Sequence, residues 1–577
     1  MEKPLIINAP IMGIAPSPHL GYGDVRNLDI FTIPGVAKLN YQLVANTVAP
    51  LALPKWLVRD TQTYGGAYAL DASGVLHKII NNGTITKVVG NVFTVTIASP
   101  AVFSAIAHGL LENDTVVLAT TGALPTGLTA GTTYHVIATG LTDDAFELSA
   151  SQGGAAINTS GSQSGAHTFR ITTSAHGNGI VLWRDYLFIC RDTAIDIYGP
   201  LVNIGNSPWT NNWKGNGATK DSALIDSDVL WHPMLVSKFD DKIYGGAGKY
   251  VFSLKELTTF SPTGTDGTEY TFTPRALTSL PSDHRIKCLE EQGERLMCGT
   301  IVTTAALENN VADIFPWDRS SPNHDTPISI EDFGVHALKT INSILYVLAG
   351  FDGKIYSSNG VQTSLVAQLP YSVVNREAGG NIVYYPGAIT KHKGRLFFGV
   401  GNSGESGGCG VWSLLPTSQG NILNFENTVS TGNAGETNAC FIGALISSGY
   451  SNLRVGFQEN ITYGIDDSNN RVSSYAAFFD SPLYNIGTPS DKNKFSQLEL
   501  LLAKELAANE GIKVQYRLNL TDSWTDVGTY DFATYGAIHS YNDKVDRIKI
   551  AEADTIQFRI LFSGSGTTPE FKSLILR

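Results

Sequence analysis

The chain has 577 residues, too many for one compact core, so roughly two to four domains are expected. Hydrophobic residues make up 42% and charged residues only 16%, with 58 glycines, a balance that excludes a disordered chain and favours many turns over long helices. The formal charge of −12 argues against a protein that grips nucleic-acid phosphates.

Residues 1–55 are rich in Pro and Gly, with scattered apolar pairs at Leu5-Ile6-Ile7 and Ile11-Met12. They read as an extended arm that packs on the rest of the chain or on a neighbour, and an arm of this kind can close a ring by adding a strand. The opening Met-Glu-Lys-Pro-Leu-Ile-Ile lacks the apolar core of a signal peptide, and no run of ~18 apolar residues is long enough to span a membrane. Synthesis in a cytoplasm without membrane insertion is the expectation.

From there a phrase recurs. Its clearest copy is Gly334–Tyr356: a short apolar run, a polar turn at Asn342-Ser343, the apolar run Ile344–Ala349, then Asp352-Gly353 and a third run. Short runs of β-branched and aromatic residues between Asn, Asp and Gly are strands joined by tight turns. The middle run is apolar on both faces, as in a strand buried on both sides. A degenerate copy lies at Tyr68–Ile79. Others begin near residues 180, 234, 285, 387 and 441. The period of roughly 50 residues is that of propeller blades, and a closed ring buries sheet faces that one blade cannot. Seven blades over 56–90 and 174–480 are predicted, with Leu345, Val347, Leu396, Phe398 and Val455 buried on inner strands.

Residues 91–173 interrupt the repeat. Composition shifts to Ala, Thr, Ser and Gly, and short strands are expected at Val92–Ile97, Thr115–Leu118, Thr133–Ile137, Phe146–Ser149 and His167–Phe169. Inserting such a block is tolerated because loop-closure costs grow slowly. After the polar stretch 487–493, residues 494–577 alternate with period two at Leu498, Leu500 and Leu502, at Ile512, Val514 and Tyr516, and at Ile556, Phe558, Ile560 and Phe562. This predicts a C-terminal β-sandwich, with Leu500–Ala508 as strand and loop rather than helix. The fold class is therefore all-β: a seven-bladed propeller with an inserted small β domain and a C-terminal sandwich.

Little in the sequence points to chemistry. Gly404-Glu-Ser406-Gly-Gly408 matches G-x-S-x-G, but no helix follows and no His or Asp partner can be placed beside Ser406. The pairs Asp240-Asp241, Glu290-Glu291 and Asp466-Asp467 fall at expected turns and read as solvated, and no intact sialidase blade motif is present. The histidines make no metal-ligand spacing. Cysteines 190, 288, 298, 409 and 440 read as reduced buried thiols, with a Cys288–Cys298 cross-strand pair conceivable. Trp209, Trp213 and Trp231 either bind sugar or protein or fill gaps between blades, the latter being preferred. No catalytic, cofactor-binding or metal residue is assigned, no cofactor is expected, and the chain reads as a non-enzyme.

The string His108–Leu118, then Thr121–Ile137, Phe146–Ser151 and Ala156–Phe169 resembles a small β module found in structural proteins of tailed bacteriophages. The C-terminal order Tyr516-Arg517, Ser523-Trp524 and Ile556–Arg559, with Pro569 before the last strand, is similar to domains appended to phage propeller proteins. These resemblances imply a tail protein of the virion, such as the tail nozzle, a distal ring around the DNA exit path. Expected partners are further copies of the chain in a homo-oligomeric ring of about six, adaptor and fibre proteins of the tail and a host receptor, with DNA only as passing cargo. Residues 1–55 and the sandwich are expected to carry the subunit contacts. A receptor-binding or fibre-attachment protein is the alternative, and a propeller glycosidase a second.

Overall fold

The computed structural model describes residues 52–576 apart from 61–65, 81–84, 89–90, 107, 172–175, 193, 202–208, 216–230, 303–311, 371–380, 404–407, 418–419, 432–438, 449–451, 469–471, 486–493, 496–497, 544–547, 550–554 and 566. Before them it describes residues 5–8, 24–26, 28–30, 36–40, 43–45 and 50. The architecture is all-β. Among the described residues the one helix is a single turn, Phe532–Tyr535, capped by the Asp531 carboxylate, which accepts from Thr534 N at 2.8 Å. Leu498–Leu502 is a strand, followed by a loop.

Four-stranded antiparallel meanders follow one another along the chain. Blade 1 is Pro54–Arg59, Ala67–Asp71, Leu76–Ile79 and Ile85–Lys87. Blade 2 is Gly179–Trp183, Tyr186–Cys190, Ala194–Tyr198 and Trp209–Gly215. Blade 3 is Met234–Val236, Ile243–Ala247, Tyr250–Glu256 and Tyr270–Leu277, and blade 4 is His284–Gln292, Arg295–Val302, Ala312–Trp317 and Ile328–Ile330. Blade 5 is Val335–Ile341, Ile344–Ala349, Lys354–Ser358 and Thr363–Gln368, and blade 6 is Ile389–His392, Arg395–Asn402, Gly410–Thr417 and Gly420–Asn427. Blade 7 is Cys440–Ser448, Asn452–Glu459 and Thr462–Ser468, with Leu43–Ala45 as its fourth strand. The first strand of each blade lies against that of the next, and Cys440–Ser448 lies against Pro54–Arg59, so the ring is closed.

Local chemistry sets these hairpins. In blade 5 the two turn residues Asn342 and Ser343 both take positive φ, 50° and 67°, the geometry whose twist matches paired strands. Lys393 and Gly394 do the same in blade 6. Each blade then buries both faces against its neighbours. Trp56, Tyr68 and Leu70 meet Ile189, Tyr198 and Trp209 between blades 1 and 2, and Phe188 and Trp213 meet Phe252 and Phe272 between blades 2 and 3. At the closure, Ala67, Ile79 and Ile85 meet Ile465. Leu345, Val347, Leu396, Phe398 and Val455 are all fully buried. Gly443 shows how tight the seam is: a Cβ there would sit 2.2 Å from Pro54 O.

The insert is a closed barrel of Asn91–Val95, Phe103–Ser104, Ala145–Ser149, Thr133–Ile137, Thr115–Thr120 and His167–Ile171, in that spatial order. It follows the completed fourth strand of blade 1, so it separates two blades instead of splitting one. Phe93, Phe103, Phe146 and Phe169 form its core. It rests on the outer strand of blade 2, where Asn211 Nδ2 donates to His108 O at 3.0 Å and Trp209 N to Asn91 Oδ1 at 3.0 Å.

One expected boundary is corrected, and the alternatives for residues 1–55 are narrowed. Their described parts pack on the chain itself: Leu5–Asn8 pairs with Phe571–Leu576, Asp24–Arg26 with Val472–Asp480, and Leu43–Ala45 closes the ring as the fourth strand of blade 7. An isolated strand needs a ladder partner, and the C-terminal sandwich supplies it. The sandwich also begins before residue 494. Val472–Asp480, read as propeller, pairs with Thr555–Ser565 in one of its sheets, beside Gly511–Arg517 and Thr525–Asp531. Nor is the sandwich separate. Arg26 pairs with Phe425 on the outer strand of blade 6, and one core runs from Tyr346 and Phe398 to Phe479, Phe558 and Phe562.

Candidate functional site at the centre of the ring

The residues that open the inner strands converge at one end of the ring. Lys55 lies on the first strand of blade 1, Lys287 and His336 on those of blades 4 and 5, while Trp231 and Tyr385 precede those of blades 3 and 6. Inner strands run side by side around the axis, so side chains turned inward from different blades meet there. Trp231 is the hub. Lys55 Nζ stands 4.6 Å and Lys287 Nζ 5.1 Å from its ring centre, and Tyr385 meets it edge-on at 5.5 Å. Tyr385 in turn reaches Phe441 of blade 7 at 6.4 Å.

The electrostatics are unusual for so buried a place. Lys287 is 8% exposed and donates to His336 Nδ1 at 2.6 Å. Burial lowers its pKa to about 8, with the Lys55 charge adding to the fall and Cys288 opposing it. His336 is held well below the usual imidazole range by burial and by Lys287, against a weaker pull from the Phe333 backbone, and is hence neutral. Its Nε2 has no hydrogen-bond partner among the described residues. Burial also lowers Lys55, opposed by Asp192. That carboxylate already accepts from Asn178 Nδ2 and is bonded to His176 Nδ1, both at 2.8 Å. Two ammonium groups therefore share one indole with no carboxylate bonded to either among the described residues.

A cleft of about 410 Å³ opens between the first hairpins of blades 3, 4 and 5, lined by Lys238, Phe239, Glu290, Glu291, Lys339 and Thr340. Asp240-Asp241 lie at the expected turn, whereas the other two carboxylate pairs correct the expectation of solvated turns. Glu290 and Glu291 are strand residues: Glu290 pairs with Lys339 at 3.0 Å and Glu291 with Arg319 at 2.7 Å. Asp240 accepts from Tyr244 OH at 2.7 Å and pairs with Lys242, which lowers its pKa against the opposing effect of burial. Asp467 takes a two-pronged contact from Arg454 at 2.6 and 2.9 Å. Asp466 is fully buried, accepts from Ser430 N and Oγ at 2.7 and 2.8 Å, and is pushed up to about 6 by burial. Glu290, Glu291, Asp466 and Asp467 sit in strands, Asp240 in a turn, and each is held by a protein partner: a cation for Glu290, Glu291, Asp240 and Asp467, and Ser430 for Asp466.

Trp209 and Trp213 are buried between blades, and Trp231 alone of the three is reachable. Cys288 and Cys298 do not pair: they sit one register step apart and enter cores on opposite faces of blade 4. Cys409 and Cys440 are not reduced thiols but a disulfide, Cα–Cα 6.0 Å, joining blade 6 to blade 7 where Asn402 pairs with Cys440. The Gly404–Gly408 motif falls outside the described residues except for Gly408, as does most of the loop 203–228. No cluster of His, Cys, Asp or Glu that could hold a metal occurs among the described residues. Nothing in the sequence marked the Trp231 hub, since its members lie in five different blades or approaches to them. A lysine at an otherwise apolar inner-strand position, as at Lys287, was the one available signal.

No family model matches the sequence, and no curated protein matches it. Among solved structures the chain is similar to the β-propeller domain of Cps50 (Swd1) from Myceliophteria thermophila, at 9% identity and TM-score 0.39, covering 74% of this chain and 99% of that one. It is similar to the Dos1 propeller at 11% identity and TM-score 0.38, covering 75% and 95%, and to the computationally designed Ika8 protein at 10% and 0.36, covering 74% and 99%. Likenesses at these scores say nothing about what the chain binds or does.

Proposed function

We propose that the chain is a structural component of the tail of a tailed bacteriophage, most consistent with a nozzle subunit that forms a ring around the DNA exit path. The observation that carries this reading is the way the chain is tied together. Its first strand pairs with its last, Leu5 opposite Leu576, Leu43–Ala45 closes the ring, and one core joins blades 5 and 6 to the sandwich. Such a body resists deformation, as a scaffold under pressure must. The resemblance of residues 108–169 to a module of phage structural proteins supports the same reading. Gold labelling of this protein on the particle by electron microscopy tests it: signal at the distal tail end is expected, and signal on the capsid or none on the particle refutes it.

The fibre-attachment or receptor-binding reading draws on one observation. The barrel insert exposes Val92, Ile97 and Ile106, the last 86% exposed, on a module fixed to the propeller rim. A glycan array on the purified protein separates the two, because strong selective binding favours the second.

A further inference from the structure

We propose that the centre of the ring binds a small oxyanion, a phosphate or the carboxylate of a sugar acid, beside Trp231 and between the charges of Lys55 and Lys287. A buried ammonium without a counter-charge is costly, and proteins pair it, neutralise it or leave it to a ligand. Pairing fails on inspection of the neighbours. Among the described residues, the charged and polar groups acting on Lys287 are Lys55, Cys288 and His336, none of them a carboxylate, and Asp192 beside Lys55 is already bonded twice. Neutralisation falls short as well, because a pKa of about 8 leaves most Lys287 side chains charged at neutral pH. An oxyanion supplies acceptors to both ammonium groups, Lys287 keeping N–H donors beyond the one it gives to His336 Nδ1. Trp231 and Tyr385, half-buried and edge-to-face, form an apolar wall on which a sugar ring can rest.

This inference stands apart from the tail reading and fails separately from it. The test is calorimetric titration of the full chain with inorganic phosphate, glucuronate and glucose at constant ionic strength, on wild type and on Lys287→Met and Lys55→Met. Methionine keeps the stem volume at Lys287, and circular dichroism reports that each variant is folded. Saturable binding of phosphate or glucuronate, but not of glucose, is expected. Affinity should fall about tenfold or more in either variant, the worth of one charge-assisted contact. Binding of glucuronate alone, reduced by Trp231→Ala, identifies a sugar acid, and binding of phosphate alone identifies a phosphate source. No binding by wild type, binding by both lysine variants as tight as wild type, or glucose binding as strong as glucuronate overturns the proposal.

Discussion

Asp466 offers a test of the ring closure by pH. It sits on the third strand of blade 7 opposite Ala45 of the closing strand, with no exposure, and accepts from Ser430 N and Oγ. Burial first, and the neighbouring Asp467 last, raise its pKa from 3.8 to about 6, while the Ser430 bonds pull the other way. The folded state thus holds this proton more tightly than the unfolded chain. The stabilisation from that proton is complete below pH ~4 and disappears as pH rises through about 6. A rise from 3.8 to about 6 makes the folded state favour the protonated carboxyl by ~3 kcal/mol. Asp466→Asn keeps the shape, removes the ionisation and leaves Ser430 a carbonyl acceptor. Wild type should lose stability from about pH 4 to just above pH 6 while the variant does not, leaving the variant ahead by about 3 kcal/mol at pH 8. Hydrogen exchange of the 43–45 and 462–468 segments at each pH reads this locally, which suits a chain too large for a two-state analysis. Slower exchange in wild type than in the variant at pH 8, or a difference that does not change with pH, would refute the reasoning.

Phe398 is fully buried in the core shared by blade 6 and the sandwich, so Phe398→Ala should cost ~3–5 kcal/mol in unfolding, and a loss under about 1 kcal/mol would place it elsewhere. Mass spectrometry after alkylation without reductant should recover Cys409 linked to Cys440. Cys190, Cys288 and Cys298, whose thiols burial pushes up, should react only after unfolding. Lys287→Met should raise the thermal midpoint at pH 7 and lose that advantage as pH climbs from about 8 towards 10.5, where the wild-type lysine is neutral in both states. Replacing residues 90–173 by a short linker should leave a folded propeller by small-angle scattering, because the barrel supplies no strand to any blade.

The repeat was legible because each middle run, such as Ile344–Ala349, is apolar on both faces and flanked by turn residues, a local signal that repeats with one period. The barrel showed as a break in that period. What stayed hidden was long-range pairing. Leu5-Ile6-Ile7 has the pattern of a strand, but nothing local says that its ladder partner lies at residues 573–576. Val472–Asp480 carries the same alternation in a blade or a sandwich, so its boundary could not be drawn from pattern alone. The Cys409–Cys440 bridge and the Trp231 hub were invisible for the same reason: each is made where blades meet, and sequence spacing does not report which side chains share an inter-blade space.

The convergence of side chains at the centre bears on the tail proposal itself. Trp231, Lys55, Lys287, Tyr385 and Phe441 bring side chains from around the ring to its middle, within 4.6–6.4 Å of one another along the chain of contacts. A duplex, whose major groove alone is about 12 Å wide, does not thread such a centre. If the chain belongs to a nozzle, DNA must pass between subunits, along surfaces drawn from blade rims, the barrel and the sandwich. The few cationic groups at the propeller centre are then free of any duty toward DNA, which is consistent with their serving a small anion. Cross-linking DNA to assembled tails should accordingly label rim or sandwich peptides; labelling of peptides containing Lys55 or Lys287 would place the duplex in the propeller after all and remove the basis of both readings.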